Sequence, residues 1–511
     1  MSDVVVLGAT PSGLALALLL ARARHSVTVI EERDAPGGLF ARETFHPGYR
    51  APGLVHGPTR VLRRTVEQLG LQAHGLELEA HPAPVYHAEV DGPGLLLDGD
   101  PATAGEAIAE RFPADAQPYA AWRAFLGRVE PLVRTLFETP APDPFSERGV
   151  DLAELLKTAA RLRRLGQADM LELLRVAPMC AADWLGERFG SHALVAALAS
   201  RGLRGGHNGP WGPHTAGLCL LAECSGDASV RGGPPALVEA LVRALSAAGV
   251  ELRTGRSVEE LRVERGVVRG VTLLGGETLE ARAVVSALDP RRTLRSLVHP
   301  RHLAPHFLAE IGAFRARGSS AFLRLALSRA PLFRARPGAE FERAAITGLV
   351  DDLERCLDAL KYGALPERPW LDVRIPSRSD PGLAPAGHHV LTAEVHGVPH
   401  ALAGGWDAAA RARLTDLVLA QLRRHLELPP DAVVACDLVT PADVEHRYGL
   451  SGGHVLHGEL AFDQLLFLRP SAGCARHRTP LAGLTLCGPG THPGGLVALG
   501  SVPLARRAVR L

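Results

Sequence analysis

Two glycine-rich turns, with a few acids and histidines around them, hold the residues of this chain that could do chemistry. The first turn is Gly8-Ala9-Thr10-Pro11-Ser12-Gly13, followed by Glu31, Glu32 and then Gly37-Gly38. The second is Gly488-Pro489-Gly490-Thr491-His492-Pro493-Gly494-Gly495, which runs into Leu496. Glycines in such turns let backbone N–H groups approach a phosphate closely, and a helix starting there adds the positive end of its dipole. Glu31, eighteen positions after Gly13, is spaced to accept hydrogen bonds from ribose hydroxyls. The first turn therefore predicts a dinucleotide site, with Gly8 for the tight bend and Gly13 for close helix packing. Thr10 stands where the pattern has its second glycine, so its Cβ faces the pyrophosphate. A glycine-capped unit that binds nothing is the alternative.

The elements that must position these residues are legible around them. Val4 to Leu7 reads as a strand, Leu14 to Ala23 as an apolar helix, and Val27 to Ile30 as a second strand ending at Glu31. A Pro/Gly-rich stretch, Pro82 to Pro101, separates this unit from a region of helical periodicity over 107–203, with Leu152, Leu155, Leu156 and Ala159 as one repeat. An amphipathic helix is expected from about Ala236 to Ala248. Strands at 250–252, 258–263, 267–274 and 283–287 then predict a three-stranded meander and a buried parallel strand. Residues 291–470 mix both types. Leu484 to Cys487 reads as a buried strand before the second turn, and a helix from Ser501 to Arg510 follows, with Ser501 as N-cap and Pro503 in the first turn.

Composition narrows the class. The chain has 511 residues, 46% hydrophobic and 22% charged, which is enough for two large domains and ordinary for a globular protein. A net charge of +1 gives no reason to expect nucleic acid. Lys157 and Lys361 are the only lysines among 56 basic residues, a bias that reads as GC-rich bacterial coding. No secretory signal or membrane-length apolar run is seen, and seven scattered cysteines suit a reducing cytoplasm. Cys219 and Cys224 have a spacing known from redox disulfides, but their apolar surroundings favour two small core residues. His454, His457 and Glu459 lack the flanking pattern of a metal site, so no metal is expected.

The opening unit with Gly37-Gly38, the segment Gly232 to Pro290, and the end Gly488 to Gly495 resemble the phytoene desaturase-type FAD-dependent oxidoreductases. His457-Gly458-Glu459-Leu460, Asp463-Gln464-Leu465, Arg469-Pro470 and Arg478-Thr479-Pro480 are similar to the pyridine nucleotide-disulphide oxidoreductase domain-containing protein 2-like branch. The resemblance implies an α/β fold: a Rossmann-like, glutathione reductase-type FAD-binding domain assembled from 1–75, 226–295 and 471–511. An α+β substrate domain, 76–225 and 296–470, would be inserted between these pieces. Gly8, Thr10, Ser12, Gly13, Glu31, Glu32, Gly37, Gly38 and Arg42 would hold the ADP half, and Val258 the adenine side. Gly488, Gly490, His492, Gly494, Gly495 and Leu496 would line the ribityl chain and ring, where a helix end would stabilise negative charge at the N1/O2 edge. Arg42 is the nearest substitute for an arginine the family carries directly after Gly37-Gly38, and 496–500 departs from the family's usual run.

The implied activity is desaturation or dehydrogenation of an apolar or amphipathic substrate by hydride transfer to flavin N5. His492, His457 and Glu459 are the candidate bases, each with a purely structural alternative. Oxygen or a quinone would be the electron acceptor, because no second nucleotide motif appears. Peripheral membrane contact would suit such a substrate. Two other readings stay open: a flavoprotein-like scaffold or partner protein with weakened or lost flavin turnover, and a flavin amine oxidase. The amine oxidase reading is disfavoured because Cys487 to Leu511 holds neither an aromatic residue nor a lysine.

Overall fold

Ser2–Leu7 is rich in β-branched residues and forms strand β1, with Val4 to Leu7 buried on both faces as inner strands of parallel sheets are. The chain is described here from a computed structural model, over residues 2–56, 59–97, 99–141 and 149–510. Helix α1 (Pro11–Arg22) follows, with Pro11 in its first turn, where a missing N–H costs nothing. It is apolar nearly all round because it packs between the sheet, the helix Gly233–Ala247 and the C-terminal helix. Strand β2 (Val27–Ile30) pairs parallel with β1, Leu7 opposite Ile30.

Strands β3 (Glu251–Arg253), β4 (Val258–Glu264), β5 (Val267–Leu273) and β6 (Thr278–Ser286) complete most of this seven-stranded sheet. The expected meander and the expected buried parallel strand share one element. The first half of β6 pairs antiparallel with β5, and its second half runs parallel to β1, Val6 opposite Val285. The expected amphipathic helix, Gly233–Ala247, starts at Gly233 rather than Ala236 because two prolines, Pro234 and Pro235, fit its first turn.

A helical layer contains α2 (Ala116–Glu138), α3 (Gly149–Arg164), α4 (Gln167–Val176), α5 (His192–Leu203) and α6 (Thr215–Cys224). Its core packs Trp122, Phe125 and Val129 against Trp184 and Leu198. Cys219 and Cys224 are free thiols in this core, donating to the carbonyls of Ala199 and Leu126. In α3 the helical periodicity is present, but the leucines are not buried: Leu152 and Leu156 are 55% and 63% exposed.

The second sheet holds β7 (Ser320–Leu327), β8 (Arg343–Ile346), β9 (Leu371–Arg374), β10 (His389–His396) and β11 (Val433–Val439), in the order β11-β7-β10-β9-β8. Beyond β8 lie two short strands, Val85–His87 and Leu95–Leu97, so the Pro/Gly-rich stretch read as a separator supplies the sheet's far edge. Helix α7 (Ala408–His425) covers one face, burying Leu414, Val418 and Leu422 against Leu323, Val373, Ala393 and Val395. The other face carries the alternate residues. Near the C-terminus, β12 (Leu484–Leu486) pairs parallel with β6, and helix α8 (Val502–Ala508) ends the fold.

Candidate functional site

A cleft opens at the C-terminal ends of β1 and β2, lined by Gly8, Thr10, Glu31, Glu32, Gly38, Val258 and His457. These are seven of the residues singled out in the sequence, contributed by three distant stretches of chain. Glu31 anchors the floor at 7% exposure, its carboxylate accepting from Ala9 N at 2.7 Å and Arg33 N at 3.0 Å. The Ala9 carbonyl accepts in turn from Gly37 N at 2.8 Å, so the turn, the acid and the Gly37-Gly38 corner are held together. Burial raises the Glu31 carboxyl above its ordinary value, despite the two N–H donors and the Arg33 charge. Glu32 is also pushed up by burial, but the hydrogen bond and charge of Arg292 outweigh this and hold it low.

The glycines of the turn are required by contact as well as conformation. A Cβ on Gly13 would lie 2.1 Å from the Gly8 carbonyl oxygen, and Gly8 itself has φ +88°. Gly37 has φ +113°, with its Cβ direction blocked 2.8 Å away by Val238. Thr10 is accommodated without strain: φ is −69° and ψ 163°, and its hydroxyl caps α1 by accepting from Gly13 N at 3.2 Å. Ser12 is buried beneath, its carbonyl 3.9 Å from the Cys487 thiol. The glycine turn, the buried acid and the start of α1 beside the cleft fit the pyrophosphate and ribose of a dinucleotide. Arg42 does not reach the cleft; it pairs at the surface with Glu239 and Asp380.

The second turn packs against the first and against a loop that runs from His454 to Gln464. Gly488 N donates to the Ser501 hydroxyl at 2.9 Å. Ser501 occupies the N-cap position of α8 as expected, but its hydroxyl ties the turn down and makes no capping bond to the helix. Cβ atoms would meet Pro290 at Gly490 (2.3 Å) and Leu456 at Gly495 (2.8 Å), and Gly494 has φ +100° beside the Arg469 side chain. Leu496 packs partly buried beside Leu218, Leu460 and Leu465.

The three candidate bases differ in their surroundings. Burial draws His457 down to about 4, and its Nδ1 is buried with no hydrogen-bond partner while the residue lines the cleft. His492 Nε2 donates to two carbonyls, Leu136 at 3.0 Å and Thr139 at 3.1 Å, which leaves Nδ1 as an unpartnered acceptor. Burial draws it to about 4 as well. Glu459 sits elsewhere, on a neighbouring cavity of about 410 Å³ with His207 and Phe462. Its oxygens accept from Arg317 Nε at 2.6 Å and Nη2 at 2.8 Å. Burial opposes ionisation there, but Arg317 prevails and holds the carboxyl at about 2, so it is a weak proton acceptor.

Three further residues shape the site and were not singled out in the sequence. Asp289 clamps the start of the loop, accepting from Ser451 N, Ser451 Oγ and Arg292 N within 3.1 Å. Arg33 lies over the Tyr448 ring at the cleft rim, 4.2 Å from its centroid. Arg469, wholly buried, donates to the carbonyls of Leu456, Gly458, Glu459, Gln464 and Pro489. Tyr448 and Ser451, which give Arg33 and Asp289 their roles, lie more than a hundred residues away in sequence, and no local spacing encodes that. Only the Arg469-Pro470 motif carried a signal.

Comparison with known proteins adds an independent line. Residues 11–498 match the family model described as flavin containing amine oxidoreductase. Pyridine nucleotide-disulfide oxidoreductase domain-containing protein 2 of Rattus norvegicus is 29% identical over 526 residues, covering 96% of this chain and 90% of its own. Hydroxyneurosporene desaturase of Cereibacter sphaeroides is 29% identical over 542 residues, covering 98% and 95%. Cyclohexylamine oxidase from Brevibacterium oxydans shares the fold, with a TM-score of 0.57 at 16% identity over 99% and 97% of the two chains.

Proposed function

Because the chain belongs to the flavin containing amine oxidoreductase family, we propose that this FAD-dependent oxidoreductase is a desaturase or dehydrogenase of an apolar or amphipathic organic substrate. The Glu31 site supports this most directly: a buried carboxylate held by Ala9 N, beside a turn in which Gly8 and Gly13 have no room for a side chain. When bound, FAD supplies the hydride acceptor at N5. Glu31 would accept the ribose hydroxyls, and the Thr10 and Ser12 N–H groups at the start of α1 would face the pyrophosphate, with Gly8 supplying the tight bend. Glu32, Gly37 and Gly38 close the corner, and Val258 offers backbone to the adenine side. Gly488, Gly490, His492, Gly494, Gly495 and Leu496 shape the wall along the ribityl chain and ring. Of the three candidates, His457 is the one that lines the cleft, with an unpartnered Nδ1, and it is the favoured acceptor of the substrate proton.

The division into 1–75, 226–295 and 471–511 against 76–225 and 296–470 is part of this reading. It is supported by the first sheet drawing every strand from the first set. Oxygen or a quinone takes up the electrons. Peripheral contact with an anionic membrane surface is proposed through α3 and α4, which expose Leu152, Leu156, Leu171 and Leu174, with Arg161, Arg163 and Arg164 in the last turn of α3. No helix among the described residues is long and apolar enough to cross a membrane.

Visible absorbance of the purified protein, before and after added FAD, tests the cofactor assignment. A protein that stays colourless with excess FAD overturns it. Anaerobic bleaching of the bound flavin by amphiphilic alkenes or terpenoids is the expected substrate signature. Bleaching by amines alone would move the assignment to an amine oxidase.

A further inference from the structure

The cavity beside Glu459 has a lining that the cofactor does not account for. Its exposed rim carries Asn208, His214 and Asp463, while Leu203, Leu218 and Leu460 supply buried apolar lining. The Phe462 ring stacks on His214 at 5.3 Å between centroids. It also rests over Gly217 of α6, where a Cβ would lie 2.4 Å from the ring. At about 410 Å³ the space has the size of a small-molecule site.

The apolar lining reaches the second glycine turn. Leu460 lines the cavity and also lies 3.4 Å from where a Cβ on Gly494 would stand. Leu218 and Leu460 share a buried cluster with Leu465, and Leu456 and Leu496 pack against it. Leu456 in turn occupies the space that a side chain on Gly495 would need. Leu460 therefore separates the cavity from the wall proposed for the ribityl chain and ring.

The charges in the polar lining are answered from within. Glu459 takes Nε and Nη2 of Arg317, at 2.6 Å and 2.8 Å. Asp463 takes Nη1 and Nη2 of Arg315, at 2.9 Å and 2.6 Å. A charged head group would have to break one of these pairs to gain a partner, which leaves the displaced charge uncompensated. His207 offers something different. Its Nε2 donates to the Arg317 carbonyl at 2.9 Å. Burial holds the ring below the ordinary histidine value, although Glu459 pulls the other way. The neutral ring then leaves Nδ1 as an acceptor with no partner among the described residues.

We propose that this cavity binds a neutral amphiphile by its hydroxyl, which donates to His207 Nδ1, with the apolar chain lying along Leu218 and Leu460 towards Gly494. This rests on the oxidoreductase reading and deepens it: the substrate has an uncharged alcohol end, and not an acid or amine end.

Isothermal titration of the FAD-loaded protein with decanol, decyl methyl ether, decanoate and decylamine tests the proposal. Saturable binding of decanol is expected, roughly three- to tenfold tighter than the ether, which lacks the donated proton. Decanoate and decylamine should bind at least about tenfold more weakly than decanol, because their charges find no free partner. His207→Phe should bind alcohol and ether alike, a loss of discrimination that a merely structural histidine would not cause. Ala461→Phe fills the cavity from a half-buried position. It should abolish decanol binding and leave the flavin absorbance and the unfolding midpoint unchanged. Equal binding of alcohol and ether by the parent protein overturns the proposal, as does tighter binding of either charged amphiphile. Undiminished decanol binding in Ala461→Phe, or discrimination that survives in His207→Phe, overturns it too. Flavin absorbance on the same samples separates the two readings. A colourless protein that still binds decanol through His207 loses the cofactor assignment and keeps the site, whereas a yellow protein that binds none loses the site alone.

Discussion

The Thr10 hydroxyl accepts from Gly13 N while its backbone keeps an extended conformation that any residue adopts. Thr10→Gly therefore removes a helix cap without relieving strain, and a Gly cap costs only a few tenths of a kcal/mol. FAD affinity in Thr10→Gly should change by less than about threefold, since a cap effect of that size is all that is at stake. Fluorescence titration of the apoprotein measures it, and a large gain would mean that the Thr10 side chain obstructs the phosphates. Glu31→Gln should act in the opposite sense. It removes a charge-assisted acceptor worth about 1.5–3 kcal/mol, so FAD binding should weaken roughly 10- to 100-fold in the same titration. Both residues were legible because a strand–turn–helix–strand unit is local, with Gly8, Gly13 and Glu31 at fixed offsets. Arg33 and Asp289 were not, because what gives them a role is Tyr448 and Ser451, placed beside them by the fold alone.

Among the elements, the loop from His454 to Gln464 and the turn 488–495 depend on one buried guanidinium. Arg469 satisfies five backbone carbonyls, with no carboxylate among those partners, and burial draws it to about 9. Arg469→Gln keeps polarity but cannot span that set. Leaving several buried carbonyls unmet, at about 1–3 kcal/mol each, should lower the unfolding midpoint and reduce flavin occupancy together. A variant with normal thermal stability would show that the loop is held by other contacts. The same region contributes to the acid response. Burial lowers His454, His457 and His492 to about 4 and His477 to about 3, so the folded protein keeps them neutral where the unfolded chain binds protons. Their contribution is fully present above the ordinary histidine value near 6.5 and is lost as pH falls towards 4. Urea unfolding at a series of pH values should show stability declining through that window, and His477→Asn should flatten the slope by about one proton. The sequence made the glycine turns readable as elements. It did not show that β6 serves two pairings, because the change from antiparallel to parallel partners happens within one uninterrupted strand.

At the scale of the whole molecule, the helical periodicity of α3 marks a helix, but periodicity alone does not say which face is covered. Leu152 and Leu156 are exposed on α3 and Leu171 and Leu174 on α4, while Val129 and Trp184 close the layer's own core without them. Four large leucines facing water are unfavourable unless something else takes them up. Arg161, Arg163 and Arg164 lie in the last turn of α3 with no ion-pair partner among the described residues, whereas Lys157 is paired with Glu154. Apolar side chains edged by free guanidiniums match the boundary of an anionic bilayer, where the leucines enter the acyl region and the arginines meet phosphates. An amphipathic substrate dissolved in that bilayer would then reach the protein without crossing water. The protein should co-sediment with vesicles containing phosphatidylglycerol and not with phosphatidylcholine vesicles, and binding should weaken as salt rises. The double variant Leu152→Glu, Leu156→Glu replaces surface residues only, so folding and flavin content should persist while vesicle binding falls at least tenfold. If phosphatidylcholine vesicles capture the protein equally well, the arginines take no part. If the double variant still binds, α3 is not the contact.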